Sequence, residues 1–157
     1  DRFEILNIPA SIRKKLKEAL VQLTRNSLIH GIEPPEEREA AGKKPHGNIT
    51  LRASKGDDEI IISYRDDGRG IDFESLRDRA LKSGITESPD ENSITREKLV
   101  ELMFQPGFTT AGSTDLDAGR GVGMFLVRRI ISELNGRITV KTKKGEFCEF
   151  EFAIPVI

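Results

Sequence analysis

Three separated segments of this chain carry groups suited to a single ligand. Asn26 lies in a helical stretch over 22–30, Asp66-Asp67-Gly68-Arg69-Gly70 follows an apolar run, and Gly119-Arg120-Gly121-Val122-Gly123 leads into another. An asparagine amide oxygen can ligate a hard cation such as Mg²⁺, which takes one or two protein ligands and completes its shell with phosphates and water. A carboxylate at a strand end, Asp66, can accept a hydrogen bond from the exocyclic amine of adenine, and Gly68 and Gly70 let a flat ring approach the backbone. Glycines opening a helix present unpaired N–H groups and a positive dipole end to phosphates. Each segment alone has a plainer reading. Gln22, Asn26 and His30 form one polar row that could be a solvated face, and Asp-Gly is a common turn pair. The glycine segment has neither Rossmann spacing nor the Lys-Ser/Thr of a P-loop. Metal and phosphate ligands must then come from elsewhere, and Asn26 fits that need.

The elements that must hold these groups follow from hydrophobic spacing. Phe3, Ile5 and Ile8 suggest a short extended lead-in over about 1–10, closed by Pro9. Ile12, Leu16, Ala19, Leu20 and Leu23 recur at three- and four-residue steps, which predicts a helix from Ser11 that stops at Gly31. Residues 33–48 read as a polar loop broken by Pro34, Pro35, Gly42, Pro45 and Gly47, with one helical turn over 36–41. Residues 49–53 and 60–64 predict two strands joined by a hairpin at 55–58. Helical spacing returns over 73–83 and around Ile94, Leu99, Leu102 and Met103. Residues 105–119 collect Pro, Gly, Ser and Thr, the composition of a mobile segment. Residues 122–134 predict a core-facing helix stopped by Asn135-Gly136, and 137–142 with 147–154 a closing hairpin around Lys144-Gly145. Paired strands with helices inserted between them predict an α+β, two-layer α/β sandwich: a mixed sheet with helices on one face.

Composition narrows the class. A length of 157 residues suits one domain, and 36% hydrophobic with 32% charged residues describes a soluble, globular one. Lys and Arg total 25 against 26 Asp and Glu, so the net charge of −1 argues against nucleic-acid binding. No apolar run is long enough to cross a bilayer. A single cysteine, Cys148, permits no internal disulfide, which with the absence of a signal peptide leads to the expectation of a cytoplasmic domain.

The order of asparagine helix, Asp-x-Gly-x-Gly, Phe104-Gln105-Pro106-Gly107-Phe108 and Gly-x-Gly-x-Gly resembles the ATP-binding (Bergerat) fold of histidine kinases, Hsp90, gyrase and MutL. More narrowly, Arg25-Asn26-Ser27, the run from His30 to Arg38 that reads His-Gly-Ile-Glu-Pro-Pro-Glu-Glu-Arg, and Ala40-Ala41-Gly42-Lys43 resemble the CheA chemotaxis histidine kinases. The resemblance covers the chain from about Leu16 onward. It implies one ATP-binding catalytic domain over 1–157 with a lid within 84–119. It implies Mg²⁺ on Asn26, adenine on Asp66, with Gly68 and Gly70 lining the base pocket, and phosphates on Gly119, Arg120, Gly121, Val122 and Gly123. Phe104 and Phe108 would anchor the lid, and Arg25, His30 and Arg79 would stand near the phosphates. The implied partners are a histidine-containing phosphotransfer domain and, downstream, a response regulator. Dimerisation would come from segments outside this chain. His30 and His46 are not expected to accept phosphate, one being in the pocket helix and the other in a loop.

This chain departs from the family pattern at specific positions. Gln22 stands one turn before Asn26, where CheA-like kinases have His and the hydrolysing relatives Glu; its amide cannot act as a general base. Cys148 takes the threonine position of the last glycine box, near the base. Phe125 and Ile29 replace aspartates. The leading expectation is a CheA-like kinase domain. The alternatives are a catalytically weakened ATP-binding signalling module marked by Gln22, or a clamp-type ATPase, against which the missing Glu and the His-Gly-Ile-Glu-Pro-Pro run both argue.

Overall fold

The computed structural model describes residues 8–84, 94–108 and 123–155. They fall into two compact units, Asp1–Ile71 with Leu126–Ile157, and Asp72–Phe125. The N-terminal lead-in over residues 1–7 lies outside the described residues.

In the larger unit, Pro9 precedes helix α1 (Ala10–Asn26), which buries Leu16, Ala19 and Leu23 at the expected steps. The helix does not run evenly to Gly31. Ser27–Gly31 forms a π turn, closed by the Ile32 N–H donating to the Ser27 carbonyl at 2.7 Å, a five-residue step. The predicted turn in the polar loop is helix α2 (Pro35–Ala40), with proline in its first turn and Glu36 and Glu37 at the positive end of its dipole.

Among the described residues four strands form one sheet in the order β1-β2-β4-β3. They are β1 (Ile49–Lys55), β2 (Glu59–Asp66), β3 (Arg137–Lys143) and β4 (Phe147–Pro155). Among the described residues every pairing is antiparallel, where the sequence predicted a mixed sheet. Each hairpin supplies one antiparallel pair, and β4 rather than β3 lies beside β2, so the central pair is antiparallel too. Alternation sorts the faces. Ile60, Ile62, Tyr64 and Asp66 on β2 pair in register with Ile154, Phe152, Phe150 and Cys148 on β4, and all eight are buried. The opposite face carries Ser63 and Arg65 hydrogen-bonded to Glu149, and Lys141 paired with Glu151.

Helix α5 (Gly123–Glu133) buries Val127, Ile130 and Ile131 and is tied to α1 by Lys15–Glu133 at 2.8 Å. It ends as predicted at Asn135, left-handed with φ 54°, and the Gly136 N–H donates to the Ile131 carbonyl at 2.9 Å.

The smaller unit holds α3 (Phe73–Lys82) and α4 (Arg96–Met103). The Asp72 side chain caps α3 by accepting from the Glu74 and Ser75 N–H groups at 3.1 and 3.2 Å, and Thr95 caps α4 by accepting from Lys98 N–H at 3.3 Å. Leu76, Ala80, Leu99 and Leu102 are buried, and Arg96 lies over the Phe73 ring. Among the described residues no helix is long and apolar enough to cross a membrane.

Candidate nucleotide site

Asp66 closes β2 and is only 3% exposed. A buried carboxylate needs donors, and two are in place. The Ser27 hydroxyl donates to Oδ2 at 2.6 Å and the Gly68 N–H to Oδ1 at 3.1 Å. Ser27 in turn accepts from the Tyr64 hydroxyl at 3.1 Å. Burial pushes the Tyr64 phenol up, and the neighbouring Asp66 adds to this while bonds to Ser27 and Thr24 oppose it. Each carboxylate oxygen thus keeps a lone pair for a further donor such as an exocyclic amine.

The glycines around Asp66 mark close backbone approaches. A Cβ on Gly68 would sit 2.2 Å from the Gly31 carbonyl oxygen, and that same oxygen accepts from the Arg69 N–H at 2.8 Å. A Cβ on Gly31 would stand 3.5 Å from Asp66 Oδ2. Gly70 has φ +68°, and a Cβ there would come within 2.5 Å of the Lys143 carbonyl oxygen. The Gly145 N–H donates to the Arg69 carbonyl at 2.7 Å. The 66–70 segment is therefore stitched to the π turn on one side and to the β3–β4 turn on the other. Cys148, paired in register with Asp66, is 8% exposed. Burial pushes its thiol up to about 12, with Asp66 adding to the shift and Thr142 opposing it. Thr142 itself accepts from the Ile71 N–H and donates to the Phe147 carbonyl, both at 2.9 Å.

Asn26 is the last residue of α1 and, like Gln22 one turn earlier and His30 in the π turn, is half-buried. Among the described residues no hydrogen bond engages the Asn26 side chain, and no group of three His, Cys, Asp or Glu residues could hold a metal. An amide oxygen at this position fits a hard cation that draws its remaining ligands from phosphate and water. Gln22 and Asn26 keep their four-residue spacing on α1, and the step from Asn26 to His30 runs through the π turn. Arg25 is exposed.

In the smaller unit, Phe104 follows α4 and Phe108 lies beyond it; both are 5% exposed, and Arg79 lies over the Phe108 ring at 5.9 Å from its centroid. Gly123 is the first described residue of α5. Gly119, Arg120, Gly121 and Val122 lie outside the described residues, as do residues 85–93 and 109–118 of the expected lid.

Several residues at this site escaped the sequence reading. The sequence assigns no role to Ser27 or Tyr64. The loop over 33–48 reads as polar, yet it contains Arg38, which is 1% exposed. Its five donors are all used: Nε to the Lys44 carbonyl, Nη1 to Glu33 Oε2 and the Asp67 carbonyl, Nη2 to the His46 carbonyl and Asp67 Oδ2. Lys43 Nζ donates to Glu33 Oε1 at 2.8 Å and to the carbonyls of Asp67 and Gly68 at 3.0 and 2.9 Å. The Asn48 N–H and side-chain amide complete the Asp67 carboxylate. Burial alone would raise the Glu33 and Asp67 carboxyls. Lys43 and Arg38 hold Glu33 below its ordinary value, and Asn48 with Arg38 does the same for Asp67. A signal was present: Arg38 and Lys43 sit in the segment carrying the most specific family resemblance.

A family model described as histidine kinase-, DNA gyrase B- and HSP90-like ATPase matches residues 12–157, and the chain belongs to that family. Within it the chain is similar to the CheA chemotaxis proteins. It is 35% identical over 151 residues to the chemotaxis protein CheA of Halobacterium salinarum, covering 96% of this chain and 23% of that one. To CheA of Rhizobium meliloti it is 37% identical over 153 residues, covering 98% and 20%. The chain thus spans about a fifth of the length of the curated relatives it matches. The fold is also that of the catalytic domain of the histidine kinase ThkA in a nucleotide-free form, at TM-score 0.55 and 22% identity over 91% of this chain and 67% of that one.

Proposed function

We propose that this domain binds Mg·ATP and transfers the γ-phosphoryl group to a histidine on a separate phosphotransfer domain, from which it passes to a response-regulator aspartate. The observation that carries the reading is the buried Asp66 carboxylate, fixed by Ser27 and Gly68 with acceptor capacity to spare. In this reading Asp66 accepts from the adenine amine and Gly68 and Gly70 make room for the ring. Asn26 is the protein ligand for Mg²⁺, which when bound neutralises phosphate charge. Gly119, Arg120, Gly121, Val122 and Gly123 contact phosphates, Arg25 and His30 stand near them, and Phe104 and Phe108 anchor a lid within 84–119. A neutral imidazole nitrogen attacks the γ-phosphorus. The N–P bond forms as the bond to the bridging oxygen breaks, and ADP leaves. Such transfer depends chiefly on positioning and charge stabilisation, so Gln22 is compatible with it. The working compartment is the cytoplasm, and dimerisation belongs to other parts of the full-length protein.

Incubating the domain with γ-labelled ATP, Mg²⁺ and its cognate histidine domain tests the reading. Phosphohistidine is expected, and Asp66→Asn or Asn26→Asp abolishes it. Full Mg·ATP affinity in both variants would remove the pocket assignment. The Gln22 amide supports one alternative, a module that binds ATP and signals without transfer; binding with no phosphohistidine is its signature.

A further inference from the structure

The five-donor Arg38 and the three-donor Lys43 are engaged with two carboxylates and a set of carbonyls, leaving their two positive charges matched by Glu33 and Asp67. What they hold is one short piece of backbone. The Asp67 carbonyl takes Arg38 Nη1 at 3.2 Å and Lys43 Nζ at 3.0 Å, and the Gly68 carbonyl takes Lys43 Nζ at 2.9 Å. The Asp67 N–H donates to the Asn48 carbonyl at 3.2 Å. The Asp67 side chain accepts from Arg38 and twice from Asn48. Every polar group of Asp67 is thereby engaged, at the residue between Asp66 and Gly68.

We infer that the Arg38–Lys43–Glu33–Asp67 cluster is the positioning device for base recognition, fixing Asp67 so that the adjoining Asp66 carboxylate and Gly68 backbone are pre-set for the nucleotide. This rests on the assignment of Asp66 to the base. Successive side chains of an extended segment leave on opposite sides, so anchoring Asp67 on one side aims Asp66 to the other. A rigid fork suits the task. Arg presents five donors in a fixed plane, whereas Lys presents three on a flexible stem and cannot reproduce the contacts to Glu33, Asp67, Lys44 and His46 together. Preformed geometry lowers the ordering cost of binding, so the cluster acts on affinity and leaves the transfer step alone.

The test compares Arg38→Lys, Lys43→Met and Asp67→Asn in the 157-residue chain. Lys43 is 16% exposed, so its variant keeps the test open if loss of the Arg38 fork unfolds the chain, which circular dichroism reads. Each variant is expected to weaken Mg·ATP binding about tenfold, the loss of roughly one charge-assisted hydrogen bond, with kcat at saturating ATP unchanged. Arg38→Lys combined with Asp67→Asn is expected to lose less than the sum of the two, because the pair shares a contact. Amide exchange at Gly68 and Arg69 should quicken in each variant while exchange in β4 does not. Wild-type affinity in folded Lys43→Met and Arg38→Lys, additive losses in the double variant, or an equal fall in kcat would overturn the inference. If the wild-type chain itself fails to bind Mg·ATP, the nucleotide reading falls first; unchanged exchange at Gly68 and Arg69 would then overturn the positioning role independently.

Discussion

Asp66 and Asp67 are adjacent in sequence and bonded to opposite sides of the chain. Asp66 accepts from Ser27 at 2.6 Å within the core, while Asp67 accepts from Arg38 at 3.0 Å and from Asn48. In the proposed reading the two carboxylates divide the labour: one is presented to the nucleotide, and the other anchors the backbone that presents it. Their different burial, 3% for Asp66 and 36% for the Asp67 side chain, follows from that division.

Ser27 supplies a donor to Asp66 that an alanine would lack. Ser27→Ala leaves Asp66 Oδ2 and the Tyr64 hydroxyl each short of a partner, at a cost of about 1–3 kcal/mol in folding stability. The fall should appear in urea denaturation. Because the carboxylate is then less firmly aimed, calorimetry should show weaker ATP binding as well; undiminished stability would mean that the Tyr64–Ser27–Asp66 chain carries no energy.

Gln22 lies on α1 one turn before Asn26. Its amide can orient water but cannot take its proton, whereas phosphoryl transfer to a neutral imidazole has little need of a base. Gln22→His is therefore expected to raise ATP hydrolysis in a coupled assay with little change in ATP affinity. Hydrolysis at the wild-type rate would show that the wasted turnover is limited elsewhere.

The sequence showed the periodic elements better than the contacts that tie them together, and the reason is physical. Leu16, Ala19 and Leu23, and the alternation along β2 and β4, are periodic signals that burial imposes locally. Asp66, Gly68 and Gly70 stood out because carboxylate and glycine types are costly where they have no role. Gly70, with φ +68° beside the Lys143 carbonyl, is such a requirement. Arg38 gave no such signal. Its principal partner Asp67 is 29 residues away, and an arginine in a proline-rich polar loop looks solvated until the loop folds over it. The π turn was equally hidden, since nothing in Ser27-Leu28-Ile29-His30-Gly31 distinguishes a five-residue from a four-residue step. Among the described residues the sheet is antiparallel rather than mixed, and hairpin signals give strand pairs but not how the pairs meet.

The clamp carries a pH dependence of determinate sign. Glu33 and Asp67 are held below their ordinary values of 4.5 and 3.8. A depressed carboxyl contributes stability that is fully present above its unfolded value and lost as pH falls through the folded one. Urea midpoints should thus stay flat from pH 7 to about 5 with respect to these groups, then drop as pH falls below about 4.5. Glu33→Gln should flatten part of the drop; an unaltered acid limb in that variant would assign it to other carboxylates.

Cys148 is a thiol kept out of chemistry by its surroundings. With its value pushed up to about 12 by burial and by Asp66, alkylation at pH 8 should be very slow in the folded chain and rapid in denaturant. Cys148→Thr places a better donor at the position paired with Asp66 and is expected to tighten ATP binding about threefold, a gain within the net value of one hydrogen bond. Weaker binding in that variant would mean that the added hydroxyl turns to Thr142 rather than to the base.

The π turn at Ser27–Gly31 also makes this stretch intolerant of deletion. A π turn is in effect an α-helix with one residue inserted. Removing one residue between Leu28 and His30 would restore an even helix, a change that helical propensity alone would welcome. It would also remove the five-residue bond from the Ile32 N–H to the Ser27 carbonyl and re-seat the residues that carry it. Re-seating would disturb the Gly31 carbonyl, which accepts from the Arg69 N–H and lies against Gly68, the contact that brings Asp66 and the helix end together. The number of residues between Asn26 and Gly31 is thus tied to this contact, while the identities of Leu28 and Ile29, both exposed, are left free by it. Homologous chains sharing the Gly31–Gly68 contact are expected to vary in composition here and to hold the interval constant.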